Sequence, residues 1–445
     1  MEWQVRVRRI AVVGAGYVGL TTGACLAALG HDVVCADADP EKVKRLDRGE
    51  VGIQEPRLAG LVADGLAAGR LSFVLGAAAA VARPPRRPDV VFLCLPTPRG
   101  AGGTADLSSV VSAMAEIGEL LSPGSIVVNK STVPVGTARR LATLMRRDDV
   151  QLVSNPEFLR EGRAVDDFMN PDRIVVGSDD PNAATQVAAL YAGMDAPTVL
   201  TDTASAELTK YAANSFLAMK LSFVNAMAEL CERLGADISD VAEGIGRDRR
   251  IGREFLSPGP GWGGSCLPKD IVALLHVADA AGVDLGLLRA AVETNSWQQR
   301  RMVEKVRLAV TGRSDGSLSR ARLGLLGLTF KAGTDDTRDS PALAVADLLR
   351  RAGAWLAGYD PALAVRCDEL DGIPLADDPY RVAAGTDALV VLTEWPEFRG
   401  VDWVRMARLV RRPTVVDTRN ILDPDVLRSA GFRLVCVGLG SDPAT

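Results

Sequence analysis

The sequence predicts an α/β protein built as two Rossmann-like doubly wound lobes joined by a long central helix. Three observations carry this expectation. Short β-rich runs alternate with helical stretches over residues 1–200, the pattern of a parallel sheet with helices on both faces. From Ala204 no glycine or proline interrupts the chain until Gly235, which predicts one helix of roughly 30 residues closed by a glycine terminator. Beyond Thr311–Arg320, a glycine- and serine-rich stretch that reads as a linker, the αβ alternation returns. The expected divisions are residues 1–200, 201–310 and 318–445.

The elements follow in order. Ile10–Val13 is a buried strand, followed by a glycine turn and a helix that runs through Leu29 and stops at Gly30. Val33–Ala36, Val90–Leu95, Ile126–Val128 and Gln151–Val153 are the next strands of the first lobe. The middle section to about Leu308 reads as helical, apart from a loop around Cys266. Leu323–Leu328, Trp355–Tyr359, Ala388–Leu392 and Thr414–Val416 are the strands of the second lobe.

Composition excludes several classes. The chain has 445 residues, of which 47% are hydrophobic and 24% charged, enough for sizeable globular cores. A net charge of -5 gives no basic field for nucleic acid. No apolar run is long enough to cross a bilayer, so no membrane partner is expected. The N-terminal stretch runs into the first strand without a signal-peptide core. The seven cysteines are scattered and form no CxxC pair. A cytoplasmic protein with reduced thiols is therefore expected. The two histidines, His31 and His276, argue against a His-ligated metal, so no metal is expected.

The first motif is GAGYVG. Gly14, Gly16 and Gly19 follow a strand and open a helix. Such glycines permit a tight turn, close approach of a pyrophosphate and close helix packing. Tyr17 and Val18 lie within the turn, where helix amides face the phosphates. Asp37 ends the second strand, placed for a ribose 2′-hydroxyl. An acid there disfavours a 2′-phosphate, so NAD is expected over NADP.

Other candidates follow strands or share a helix face. Thr97, Ser131 and Thr132 come after strands, where ligands of such sheets bind; ordinary turn chemistry is the plain alternative. Glu157, in SNPEFLREG, could act as a base or hold a water, or simply complement a helix dipole. Lys210 and Asn214 are one helical turn apart and share a face of the long helix. They could stabilise a developing alkoxide, although an isolated helical lysine is usually a solvated charge. Cys266 follows glycines at 259, 261, 263 and 264 and precedes Lys269 and Asp270. A thiol beside a cation in such a loop can be held partly as thiolate, the reactive form, and the glycines let backbone approach a ligand. Cys25, Cys35, Cys94, Cys231, Cys367 and Cys436 read as inert core residues. Lys331, Arg338 and Arg419 follow strands of the second lobe and could together form an anion site.

Six motifs occur in order across nearly the whole chain: GAGYVG, STVPVG, NPEFLREG, the KxxAN helix, GGSCLPKD and FKAGTDDTRDSP. The set resembles the UDP-glucose/GDP-mannose dehydrogenase family, most closely its UDP-glucose branch. The resemblance implies an NAD-binding first lobe, a second lobe for the nucleotide of the sugar, and a helical dimerisation domain around the long helix. It implies a homodimer in which Arg250 reaches the neighbouring subunit's site. It assigns catalysis to Cys266, Asp270, Lys210, Asn214, Glu157 and Thr132. Cofactor contacts fall to Glu161 and Arg338 besides the residues above. Substrate contacts fall to Phe158, Leu159, Arg160, Gly261, Gly263, Phe330, Lys331 and Arg419.

The implied reaction is a four-electron, NAD-dependent oxidation of a nucleotide-sugar C6 hydroxyl to a carboxylate. Asp270 and Lys210 handle the proton, Cys266 forms a thiohemiacetal and then a thioester, and water held by Glu157 and Thr132 releases the acid. UDP-glucose is the first expectation for the substrate. SCLPKD and FKAGTDD also suit the GDP-mannose branch, and dTDP-glucose is a further alternative. GGSC in place of GGHC argues against UDP-N-acetylhexosamines. A non-catalytic nucleotide-sugar sensor and a two-electron alcohol dehydrogenase are the alternatives of other classes.

Overall fold

The computed structural model describes residues 7–82, 87–363 and 369–439. Cys367 and the first six residues lie outside them. The chain divides into two compact units. One comprises Met1–Ala213 with Val272–Val283, the other Asn214–Ile271 with Asp284–Thr445.

The first unit contains an eight-stranded sheet. Its strands are β1 (Arg9–Val13), β2 (Asp32–Asp37), β3 (Leu71–Leu75), β4 (Val90–Leu93), β5 (Ile126–Asn129), β6 (Gln151–Ser154), β7 (Ile174–Gly177) and β8 (Thr198–Thr201). Their order is β3-β2-β1-β4-β5-β6-β7-β8. The chain reverses direction of growth between β1 and β4, the switch point where ligands of such sheets bind. Both faces are covered over the central β1, β4 and β5, so these strands read as apolar runs rather than alternating ones. Ile10 and Val12 join one core and Ala11 and Val13 the other, the two-residue period of a strand.

From β3 through β6 the sheet is parallel as expected, and one antiparallel step follows. β7 pairs antiparallel with β6, and β8 continues in the direction of β7. An antiparallel neighbour starts near the end where its predecessor stops, so no crossover is required. The connection after β6 can therefore stay at the carboxyl end of the sheet. It carries the irregular segment around Glu157 and the short helix Ala164–Met169.

The second unit has a five-stranded parallel sheet of β9 (Arg322–Leu326), β10 (Trp355–Tyr359), β13 (Ala388–Val391), β14 (Thr414–Asp417) and β15 (Arg433–Cys436). Its order is β10-β9-β13-β14-β15, so it reverses between β9 and β13. A small hairpin, β11 (Glu369–Leu370) with β12 (Ile373–Pro374), stands beside it. Leu323, Leu325 and Val390 enter one core and Leu326, Leu389 and Val391 the other.

The helical expectation is met by helices over Thr203–Leu234, Ile238–Gly246, Leu267–Ala280 and Gly286–Thr311. The first spans 32 residues and ends ahead of Gly235, whose φ of +74° suits the glycine terminator. The division between the units passes through this helix and through Leu267–Ala280. Among the described residues no helix is long and apolar enough to cross a membrane.

Candidate active site

The glycine turn assigns its three glycines different jobs. Gly14 has φ +95°, and a Cβ there would meet the Cys94 carbonyl oxygen at 2.5 Å. A Cβ on Gly19 would lie 1.7 Å from the Gly14 carbonyl oxygen. Both are therefore required by the protein's own packing. Gly16 differs: no heavy atom lies within 4 Å of a Cβ built there. It precedes the helix Tyr17–Ala28, whose first amides have no intrahelical acceptor. Open backbone at a helix N-terminus fits a pyrophosphate.

Asp37 closes β2 beside this turn. Its carboxylate accepts the Ala15 N–H at 3.0 Å and pairs with Lys42 at 2.7 Å. Partial burial pushes its carboxyl upward, but the Lys42 and backbone contacts win and hold it below the usual range. An ionised acid at the end of β2 fits a ribose hydroxyl. These residues suit a dinucleotide.

Thr97, Ser131 and Thr132 come together at the carboxyl ends of β4 and β5. The Thr97 hydroxyl donates to the Thr132 carbonyl at 2.8 Å. The Ser131 hydroxyl donates to the Leu95 carbonyl and accepts the Leu95 N–H, both at 2.8 Å. The Thr97 and Ser131 hydroxyls thus hold the two loops in register.

Glu157 follows β6, and its side chain is buried. One carboxylate oxygen lies 3.0 Å from the Lys210 ammonium, the other accepts the Leu159 N–H at 2.7 Å. Burial raises a carboxyl, but Lys210, the Leu159 amide and Lys130 together hold Glu157 below its ordinary range. The surface-charge alternative for Lys210 is thereby excluded, since this lysine is 4% exposed. The Phe158 ring stacks on the Arg173 guanidinium at 3.6 Å and faces the Lys210 ammonium at 5.5 Å. Arg160 pairs with Asp167 at 2.6 Å. Phe158, Leu159, Arg160 and Glu161 are all half-buried.

Sequence reasoning missed a second lysine here. Lys130 is buried between β5 and Ser131, and it donates to Asn155 at 3.1 Å and Tyr191 at 3.4 Å. Burial lowers its pKa to about 8. Its position immediately before Ser131 and Thr132 in the motif was the available signal.

The second unit holds the thiol. Cys266 is half-buried and immediately precedes the helix Leu267–Ala280. Its carbonyl accepts the Asp270 N–H at 3.1 Å, which places the residue at the helix N-terminus. The dipole there favours negative charge. The Ser265 hydroxyl is 3.6 Å from the sulfur. Asp270, in the first helical turn, is 1% exposed. It accepts from Asn214 at 2.6 Å and pairs with Lys269 at 2.5 Å. Cys25, Cys35, Cys94 and Cys231 are buried. Burial pushes the thiols of Cys25, Cys94 and Cys436 up to about 12.

The glycines of the loop before Cys266 are also fixed by close packing within the protein. A Cβ on Gly261 would meet Asn295 at 2.6 Å, on Gly263 the Asp339 carbonyl at 2.0 Å, and on Gly264 the Phe330 ring at 2.7 Å. A Cβ on Gly259 would come within 3.0 Å of the Arg419 guanidinium. The thiol loop is therefore moulded against the loop that follows β9 and against Arg419.

Arg419 donates to the Leu392 carbonyl at 3.0 Å, approaches the Phe330 carbonyl at 3.4 Å and pairs with Glu394 at 3.2 Å. The Lys331 ammonium lies 5.6 Å from the Phe330 ring centre. Arg338 is exposed and pairs with Asp336, and Arg250 is exposed and pairs with Asp248. Among the described residues no group of three or more His, Cys, Asp or Glu could hold a metal ion.

Comparison with known proteins adds the following. Models of the UDP-glucose/GDP-mannose dehydrogenase family match in three parts. These are the NAD binding domain over residues 8–195, the central domain over 204–297 and the UDP binding domain over 324–424. A UDP-glucose 6-dehydrogenase of Rhizobium meliloti is 46% identical over 441 residues, covering 97% of this chain and 99% of that one. One from Pseudomonas aeruginosa is 42% identical over 445 residues, covering 95% and 96%. The solved structure of a UDP-glucose dehydrogenase from the archaeon Pyrobaculum islandicum aligns with a TM-score of 0.88 at 35% identity, covering 98% and 99%.

Proposed function

Because the chain belongs to the UDP-glucose/GDP-mannose dehydrogenase family, we propose that it oxidises C6 of UDP-glucose to the carboxylate of UDP-glucuronate. It is an NAD-dependent oxidoreductase of nucleotide sugars. UDP is favoured as the nucleotide by the UDP binding domain match and by relatives named for UDP-glucose.

Gly14, Gly16, Gly19 and Asp37 hold the NAD, with the amides of Tyr17 and Val18 turned to its phosphates. Thr97, Ser131, Thr132, Glu161 and Arg338 complete its contacts. Two NAD molecules bound there in succession would each accept one hydride, the two that a four-electron oxidation needs. Phe330, Lys331 and Arg419 hold the nucleotide of the sugar. Phe158 to Arg160 and the Gly261–Gly263 backbone hold the sugar side.

Asp270 and Lys210 take the proton from the C6 hydroxyl. Asn214, bonded to Asp270, donates to the developing oxyanion. The Cys266 thiolate attacks the aldehyde carbon, and the resulting thiohemiacetal becomes a thioester at the next oxidation level. Glu157 and Thr132 hold the water that attacks the thioester carbonyl. Glu157 takes its proton, and the acid departs as the thiol is restored. Covalent capture keeps the aldehyde from leaving between the two oxidations.

The thiol carries this reading: Cys266 stands half-buried at a helix N-terminus, one turn from a buried, paired aspartate. The test is NADH yield and product mass with UDP-glucose, GDP-mannose and dTDP-glucose. Two NADH and one uronate per UDP-glucose are expected. One NADH per sugar, or tight binding with none, would overturn it.

The three-part division at residues 1–200, 201–310 and 318–445 is supported by the extents of the three matches. A homodimer through the central helix is supported by an exposed apolar stripe of Phe216, Phe223 and Leu230 at seven-residue spacing. Such a stripe needs a cover. The exposed Arg250 suits a contact with the neighbouring subunit. A cytoplasmic location is supported by the thiol form of the buried Cys25, Cys35, Cys94 and Cys231.

A further inference from the structure

Glu55 is a buried carboxylate that the chemistry above does not use. It sits just before the helix Leu58–Ala67 and opens the turn that puts Arg57 in the left-handed region at φ 69°. Its side chain reaches two separate segments. One oxygen accepts the Tyr17 hydroxyl and, at 2.8 Å, the Gly162 N–H. The other accepts the Val165 N–H at 3.4 Å. The Gly162 N–H also reaches the Tyr17 oxygen at 2.9 Å.

These partners are not arbitrary. Tyr17 is the first residue of the helix after Gly16, the open position of the glycine turn. Gly162, with φ +78°, ends the Phe158–Glu161 segment. Burial, and then the bond to Glu55, push the Tyr17 phenol well above its usual range, so it stays a donor. A buried carboxylate with three donors costs much to disturb, because each amide would be left unpaired.

We propose that Glu55, acting through Tyr17 and Gly162, is a positioning residue that fixes the Phe158–Gly162 backbone against the dinucleotide turn and so sets affinity for the nucleotide sugar. The inference rests on the reading that this segment contacts the sugar. It predicts a change in affinity for the nucleotide sugar from two side chains assigned to neither ligand, since Tyr17 meets NAD through its amide alone.

The experiment compares Tyr17→Phe, Glu55→Gln and the double variant with the parent, full-length and with both substrates. KM for UDP-glucose should rise about tenfold in each single variant, the effect of one lost hydrogen bond, with kcat within about threefold. Because both side chains act through one contact, the double variant should be no more than about twofold worse than the poorer single. A purely structural role would lower melting temperature and kcat while leaving KM unchanged. That result, or additive effects on KM, would overturn the inference. If Glu55→Gln fails to fold, Tyr17→Phe decides alone, since it removes only the hydroxyl. A parent that turns over no nucleotide sugar would overturn the reading beneath the inference, and the inference with it.

Discussion

The Lys210 ammonium lies 3.0 Å from the Glu157 carboxylate, and neither side chain is more than 8% exposed. Breaking one side of such a pair leaves the other charge buried without compensation. Lys210→Met should destabilise the fold by about 3–5 kcal/mol, read by urea denaturation. Its kcat should fall by roughly 10²–10⁴ if the lysine handles the proton. Retention of both stability and rate would remove this pair from the site.

Cys266→Ala should abolish acid formation while leaving the melting temperature within a few degrees. The half-buried side chain leaves little cavity. Cys266→Ser should slow release and accumulate an ester detectable by intact-protein mass. Normal uronate output from the alanine variant would eliminate the thioester route.

Gly16→Ala and Gly19→Ala should part company. Gly16 has open space at its Cβ position, so its variant should fold normally and lose affinity for NAD by about tenfold or more. Gly19 has the Gly14 carbonyl oxygen 1.7 Å from that position, so its variant should fail in folding itself. Thermal melts with and without NAD distinguish the two.

Lys130 gives a pH signature. Its folded pKa of about 8 lies below the ordinary 10.5. Between those values the unfolded chain holds a proton that the folded chain has lost. Stability from this residue therefore rises with pH across that window, by up to about 1.4 kcal/mol per pH unit. Below pH 8 the full cost of burying the charge remains. Lys130→Met should remove that slope in urea melts taken from pH 8 to 10.5.

Much of this was legible in the sequence. The glycine turn, the long helix and the strands over Ile10–Val13 and Trp355–Tyr359 announced themselves through local rules of period, glycine and apolar run. β7 and β8 escaped because each is only four residues long, and so short a run does not separate strand from helix by its period. β8 is also largely exposed and so lacks a buried pattern. Cys266 stood out through its loop. Glu55 did not, because its partners Tyr17 and Gly162 are 38 and 107 residues away. Lys130 was lost for the same reason: Asn155 and Tyr191, 25 and 61 residues away, decide that it is buried. Local pattern names a residue type, whereas burial is decided at a distance.

The fit of Gly263 and Gly264 under Asp339 and Phe330 has a practical meaning for anyone building hybrids. A carboxy-terminal section transplanted from a relative would bring a foreign mould to the Cys266 loop. Exchanging base preference between such enzymes therefore demands that residues 258–266 travel with the graft.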